Sequence, residues 1–108
     1  MGIKRLTFVK TLTTAGTAER LVLPANDIRS RAITIEALET NTGYIRVGGS
    51  TVSLTNGTYL ETLDSVSYQN ANYADVTAES RLSEIYCVAS VSGEGVTVAY
   101  ETEDALLI

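Results

Sequence analysis

Residues 31–56 read RAITIEALETNTGYIRVGGSTVSLTN, and the alternation in this stretch decides the fold class. Ile33, Ile35 and Ala37 alternate with Thr34, Glu36 and Leu38. A period of two puts the first set on one face of a half-buried strand, and β-branched residues suit a pleated surface. Asn41-Thr42-Gly43 reverses the chain. Glycine takes positive φ at no steric cost, and asparagine tolerates the left-handed region or bonds its own backbone. Residues 44–47 return as a second strand, with Ile45 and Val47 on one side. Gly48-Gly49 breaks or bulges it. Residues 50–54 predict a third strand carrying Val52 and Leu54, and Asn56-Gly57 is a strong hairpin signal. The stretch therefore predicts a core of consecutive hairpins. It carries a scaffold and no chemistry.

The same pattern recurs on both sides of this stretch. Residues 1–10 (MGIKRLTFVK) predict a strand. The threonine-rich stretch up to Thr17 suits a loop or an extended arm, so residues 1–17 are either a strand of the fold or an arm reaching a neighbour. Residues 18–23 resume a short strand, which Pro24 ends because proline donates nothing to a ladder. Residues 24–30 predict a loop with one helical turn capped by Asn26 or Asp27. Downstream, residues 58–64 read as irregular, anchored by Tyr59, Leu60 and Leu63. Residues 65–69 alternate as a strand, and residues 70–80 read as a loop with a short helical turn near 78–82. Residues 84–91 are apolar on both faces, as in a central strand buried on both sides. Ser92-Gly93-Glu94-Gly95 is a turn. Residues 96–100 place Val96, Val98 and Tyr100 on one side, which predicts a hairpin with the preceding strand. The tail, 101–108, is an acidic run followed by Ala105, Leu106, Leu107 and Ile108. About eight short strands with regular turn signals predict an all-β, single-domain antiparallel β-sandwich, jelly-roll or Ig-like.

Composition narrows the function. The 108 residues suit one domain and one core. No apolar run is long enough to span a membrane, and the N-terminus lacks the apolar core of a signal peptide, which argues against secretion by the general route. Met1-Gly2 does not open a myristoylation motif, because position six is Leu6. The chain has no histidine and no tryptophan. The commonest general base and transition-metal ligand are therefore missing, and Ser-His-Asp and Cys-His arrangements are excluded. Cys87, the single cysteine, lies in the apolar run 85–89 with no adjacent base or cation, and reads as a small core residue. The net charge of −5 is unevenly spread. Residues 1–46 hold seven basic and four acidic residues, while residues 47–108 hold one and nine. The acidic half argues against a general nucleic-acid binder. The basic N-terminal part could meet an acidic protein surface, but solvated charge on strand faces is the plainer reading.

The motifs that could carry chemistry are weak. Gly48-Gly49-Ser50-Thr51 lacks the lysine and helix of a phosphate loop. Asp64, Asp75 and Asp104 have no calcium-loop spacing. Thirteen acids with no defined pairing say nothing about glycoside hydrolysis. Tyr68, Tyr86 and Tyr100 fall at strand positions, whereas Tyr44, Tyr59 and Tyr73 sit near turns and offer a sugar-binding edge. These readings predict no enzyme, no metal and no cofactor, with a carbohydrate-binding β-sandwich module as an alternative of another class.

Three runs carry a resemblance: Ile33-x-Ile35-x-Ala37-Leu38-x-x-Asn41-Thr42-Gly43-x-Ile45-x-Val47-Gly48-Gly49, then Asn56-Gly57-x-x-Leu60, then Ile85-Tyr86 with Ala89-Ser90-Val91-x-Gly93-Glu94-Gly95-Val96. Together they resemble small β-sandwich virion proteins of tailed bacteriophages, over roughly residues 30–100. Such proteins are head-decoration (cement) proteins, or adaptor and attachment domains of head or tail fibres. The resemblance implies a structural role in the virion, on the head exterior, after synthesis in the host cytoplasm, with no catalytic residue to carry over. The expected partners are the major capsid protein or other virion proteins and further copies of the chain, with a trimer favoured and neither nucleic acid nor membrane involved. A tail, head-tail connector or fibre-attachment component is the alternative. Charge asymmetry and apolar ends nominate Lys4, Arg5, Phe8, Lys10, Leu106, Leu107 and Ile108 as docking residues, with 101–108 as a docking tail.

Overall fold

The computed structural model describes residues 3–26, 28–69 and 80–103. Among them the chain forms ten strands: β1 (Ile3–Thr11), β2 (Glu19–Arg20), β3 (Arg29–Ser30), β4 (Ala32–Ala37), β5 (Ile45–Gly48), β6 (Thr58–Leu60), β7 (Ser65–Gln69), β8 (Ser80–Arg81), β9 (Tyr86–Ala89) and β10 (Gly95–Glu103). Short 3-10 turns occupy Pro24–Asn26 and Leu82–Glu84. One sheet has the order β1-β10-β4-β7, the other β2-β9-β5-β6, and β3 pairs with β8 as a two-stranded ribbon. All pairings are antiparallel.

The pairings nest. First meets last in β1–β10, then β2–β9, β3–β8, β4–β7 and β5–β6 follow inward. The chain is one long ribbon doubled back on itself and rolled, with β10–β4 and β9–β5 closing the roll. With the β3/β8 ribbon set aside, the two sheet orders are those of an eight-stranded jelly roll. The β-sandwich expected from sequence is present, in its jelly-roll form.

Residues directly opposite in a ladder share a face, so the register explains the core. Ile33, Ile35 and Ala37 stand opposite Tyr100, Val98 and Val96. Across the sandwich, Ile45 stands opposite Leu60 and Ala89, and Val47 opposite Cys87. All of these are buried and join one hydrophobic cluster with Leu12, Leu21 and Leu82. Each fully buried branched side chain contributes roughly 1.5–3 kcal/mol of transfer free energy. Central β9 is buried on both faces, as its apolar run predicts, with Cys87, Val88 and Ala89 all inaccessible to water.

The consecutive hairpins expected from sequence are not formed. β4 and β5 lie in different sheets, and so do β9 and β10. The turns between them are arches that carry the chain from one layer to the other. The hydrogen bonds a hairpin would make are replaced by bonds between the arches: Leu38 N–H donates to Gly95 O (3.2 Å) and Ser90 N–H to Tyr44 O (3.0 Å). Residues 50–54 form no strand. A bridge between Ser53 and Asn56 closes a tight turn just before Gly57, which has φ of 126°. Val52 is buried there against Gly48 and Gly57; a Cβ on Gly57 would lie 2.5 Å from its Cγ2. The irregular segment expected over 58–64 instead begins with β6. Gly43 serves by close approach and not by positive φ, since a Cβ there would overlap Ser90 Oγ. The loop predicted over 70–80 falls outside the described residues except for Ser80 in β8.

Candidate functional site

Four of the nominated docking residues lie on β1, an edge strand of the first sheet. Its register places Lys4, Leu6, Phe8 and Lys10 opposite Thr102, Tyr100, Val98 and Val96, on the inward side. Phe8 is half-buried and meets the Tyr100 ring edge-on at 6.0 Å, so it is committed to the core. Lys10 pairs with Glu19 (3.5 Å), whose carboxylate also accepts the Thr13 N–H (2.9 Å). On the outward side, the Arg5 Nε donates to Glu101 (2.7 Å) while 75% of its side chain stays in water. Leu6 and Val9 are 39% and 58% exposed, one on each side of the strand. Alternation along β1 turns Phe8 inward and Val9 outward, whereas Leu6 shares the Phe8 side and its exposure is not legible in the alternation. Leu106, Leu107 and Ile108 lie outside the described residues.

Arg5 and Thr7 border a shallow concavity of about 480 Å³ on the first sheet. Small side chains line its floor, among them Ala32, Thr34, Ser67 and Ala99. Thr34 and Ser67 share a hydroxyl–hydroxyl hydrogen bond of 3.0 Å across β4 and β7. The Arg5–Glu101 pair stands at its rim.

At one end of the sandwich the two arches grip each other. Asn41 is buried, and its amide reads both backbone groups of Gly95: Nδ2 donates to Gly95 O (2.8 Å) and Oδ1 accepts Gly95 N–H (3.1 Å). In return the Glu94 carboxylate accepts the N–H groups of Thr42 and Gly43 and the Thr42 hydroxyl. Desolvation alone would raise the Glu94 pKa, but these donors outweigh it and hold the carboxyl below its ordinary value. The Asn-Thr-Gly and Gly-Glu-Gly motifs, read separately in sequence, are two halves of one clamp.

The outer face of the second sheet is aromatic and cationic. The Arg20 guanidinium lies 5.0 Å from the Tyr86 ring centre. Arg46 lies over both Tyr44 (5.9 Å) and Tyr59 (5.2 Å), and those rings stand 5.0 Å apart. Two of the three tyrosines nominated for a sugar-binding edge are thus brought together; Tyr73 lies outside the described residues.

No family of known proteins, no curated protein and no solved structure matches this chain.

The remaining chemical candidates are accounted for locally. Burial pushes the Cys87 thiol up to about 12, with Lys10 opposing weakly, so it is a core residue without nucleophilic character. Asp64 uses its carboxylate to accept the Glu61 N–H (3.0 Å). Asp75 and Asp104 lie outside the described residues, and among the described residues no three acidic, cysteine or histidine side chains gather as metal ligands. Gly48 and Gly49 lead into the tight turn over Val52, where a Cβ on Gly48 would meet Val52 at 3.3 Å.

Proposed function

We propose that this chain is a non-enzymatic structural protein of a tailed-phage virion, one that decorates the head and bridges neighbouring capsid subunits. The observation that carries the docking part is β1: a nine-residue edge strand with Leu6 and Val9 exposed and Arg5 at the rim of the adjoining recess. An edge strand offers a row of backbone donors and acceptors to an added strand. The excess of basic residues in the N-terminal half suits an acidic segment of another protein. The virion context rests on the resemblance over residues 30–100. Jelly rolls recur in viral capsid proteins, which is support by analogy of fold only. Many weak contacts on a repeated lattice need only modest affinity each. A trimer matches the local three-fold positions of such a lattice.

Co-sedimentation with purified heads tests this. The protein should bind on the order of hundreds of copies per particle, with Arg5→Glu or Leu6→Ser/Val9→Ser weakening it at unchanged fold. About six or twelve copies would instead place it on the tail axis or connector. A chain that ignores both heads and tails overturns the proposal.

A further inference from the structure

We propose that the corner of the second sheet formed by Tyr44, Tyr59 and Glu61 binds the ring of a neutral sugar. The corner encloses a cleft of about 340 Å³, bordered also by Thr62, at the small end of the range for ligand pockets. β5 and β6 set Arg46 opposite Tyr59. Arg46 is itself fixed, donating to Leu54 O (3.1 Å) and Gly57 O (2.8 Å), and the Tyr44 hydroxyl also donates to Leu54 O (3.1 Å). The aromatic pair is therefore held from beneath, and Tyr59 keeps 45% of its surface in water. The Tyr59 hydroxyl donates to Glu61 Oε1 at 3.2 Å. Desolvation first, and this carboxylate next, raise the Tyr59 pKa, so the phenol stays a donor.

The loop that presents Glu61 is also set in advance. Glu61 N–H is held by Asp64, the Thr62 hydroxyl donates to Asn41 O (3.0 Å), and Leu63 N–H donates to Ala37 O (3.1 Å). Leu63 is a non-glycine residue in the left-handed region, with φ of 69°. Strain of this kind persists where the surroundings over-determine the backbone, and it collects at ligand clamps. Ordering supplied before binding reduces what binding must spend.

The chemistry selects a sugar. A pyranose has an apolar face of C–H groups and a rim of hydroxyls. The part of the Tyr59 ring left in water takes the first, and the Glu61 carboxylate beside it accepts hydrogen bonds from the second. Arg46 and Glu61 carry opposite charges, so the corner favours a neutral ligand. A proline-rich peptide also uses tyrosine pairs, but it has no hydroxyls to offer Glu61. This site lies on the sheet opposite β1, and the proposal stands independently of virion docking.

The test is an amide NMR titration of the full chain with maltotriose, cellotriose, mannotriose and chitotriose, each to about 20 mM. At least one should shift the amides of residues 42–44 and 59–62 saturably. Tyr59→Ala should weaken that binding by about tenfold or more, and Glu61→Gln by about three- to tenfold, while Arg5→Ala leaves it unchanged. Tyr59→Leu, which keeps apolar bulk, serves if Tyr59→Ala loses the fold. The proposal is overturned if no sugar shifts those amides, if binding survives loss of the Tyr59 ring, or if a proline-rich decapeptide shifts them where the sugars do not.

Discussion

At the scale of single residues, Asn41 acts as a strand neighbour would. Its side-chain amide satisfies both the N–H and the C=O of Gly95 in a buried position. Asn41→Ala leaves two buried backbone groups without partners. It should lower stability by about 2–4 kcal/mol, read as a lower urea midpoint at unchanged slope; a loss within experimental scatter would mean that water replaces the amide. Leu63 presents the opposite case. A β-carbon in the left-handed region costs about 1–2 kcal/mol, and the side chain is exposed, so little burial offsets it. Leu63→Gly should be neutral or stabilising by up to about 1 kcal/mol in the same assay, after the backbone entropy of glycine is counted.

At the scale of elements, the arches 38–44 and 90–94 behave as one unit because each satisfies the other's backbone. Glu94 makes this unit sensitive to acid. Its folded pKa lies below the value of an unfolded glutamate, about 4.3. Its carboxylate therefore stabilises the fold fully above that value, and the stabilisation is lost as pH falls through the lower folded pKa. The stability difference between the native chain and Glu94→Ala should be constant from pH 7 to about 5 and shrink below about 4. A difference that stays level down to pH 3 would assign the clamp to shape and not to charge.

At the scale of the whole molecule, the nested ladder makes the ends of the chain pair first with last. β1–β10 joins Ile3 to Glu103 in one register. Such distant pairs must close large loops before contact rewards them, so folding should fall in the range of about milliseconds to seconds. β1 also flanks β10 and contributes Phe8 to the core. Removing residues 1–10 should therefore abolish cooperative unfolding in a thermal scan followed by near-ultraviolet circular dichroism. Point substitutions that keep β1 in place separate docking from folding.

How much of this was legible in the sequence follows from the range of the forces involved. Alternation of Ile33, Ile35 and Ala37, and of Val96, Val98 and Tyr100, determined strands and their buried faces, because side chains on a strand point by parity alone. The absence of histidine removed whole classes of catalysis. Turn positions at Asn41-Thr42-Gly43 and Gly93-Glu94-Gly95 were also readable, because glycine and asparagine act locally. What local chemistry does not contain is the strand that a reversing chain will pair with. A turn into the same sheet and an arch into the facing sheet use the same residues, and the hydrogen bonds that choose between them come from far along the chain. The same holds for the sites. Tyr44 and Tyr59 were nominated from the sequence, but Arg46 and Glu61 became their neighbours only when β5 met β6. Phe8 is a docking candidate by sequence, yet the register on β10 turns it inward and Val9 outward. Local chemistry settles most of the strands, their faces and the turn positions, but not the strand expected over 50–54 or the one formed at Thr58–Leu60; partners are settled only in three dimensions, by which backbone groups and apolar surfaces remain unsatisfied after every local choice is made.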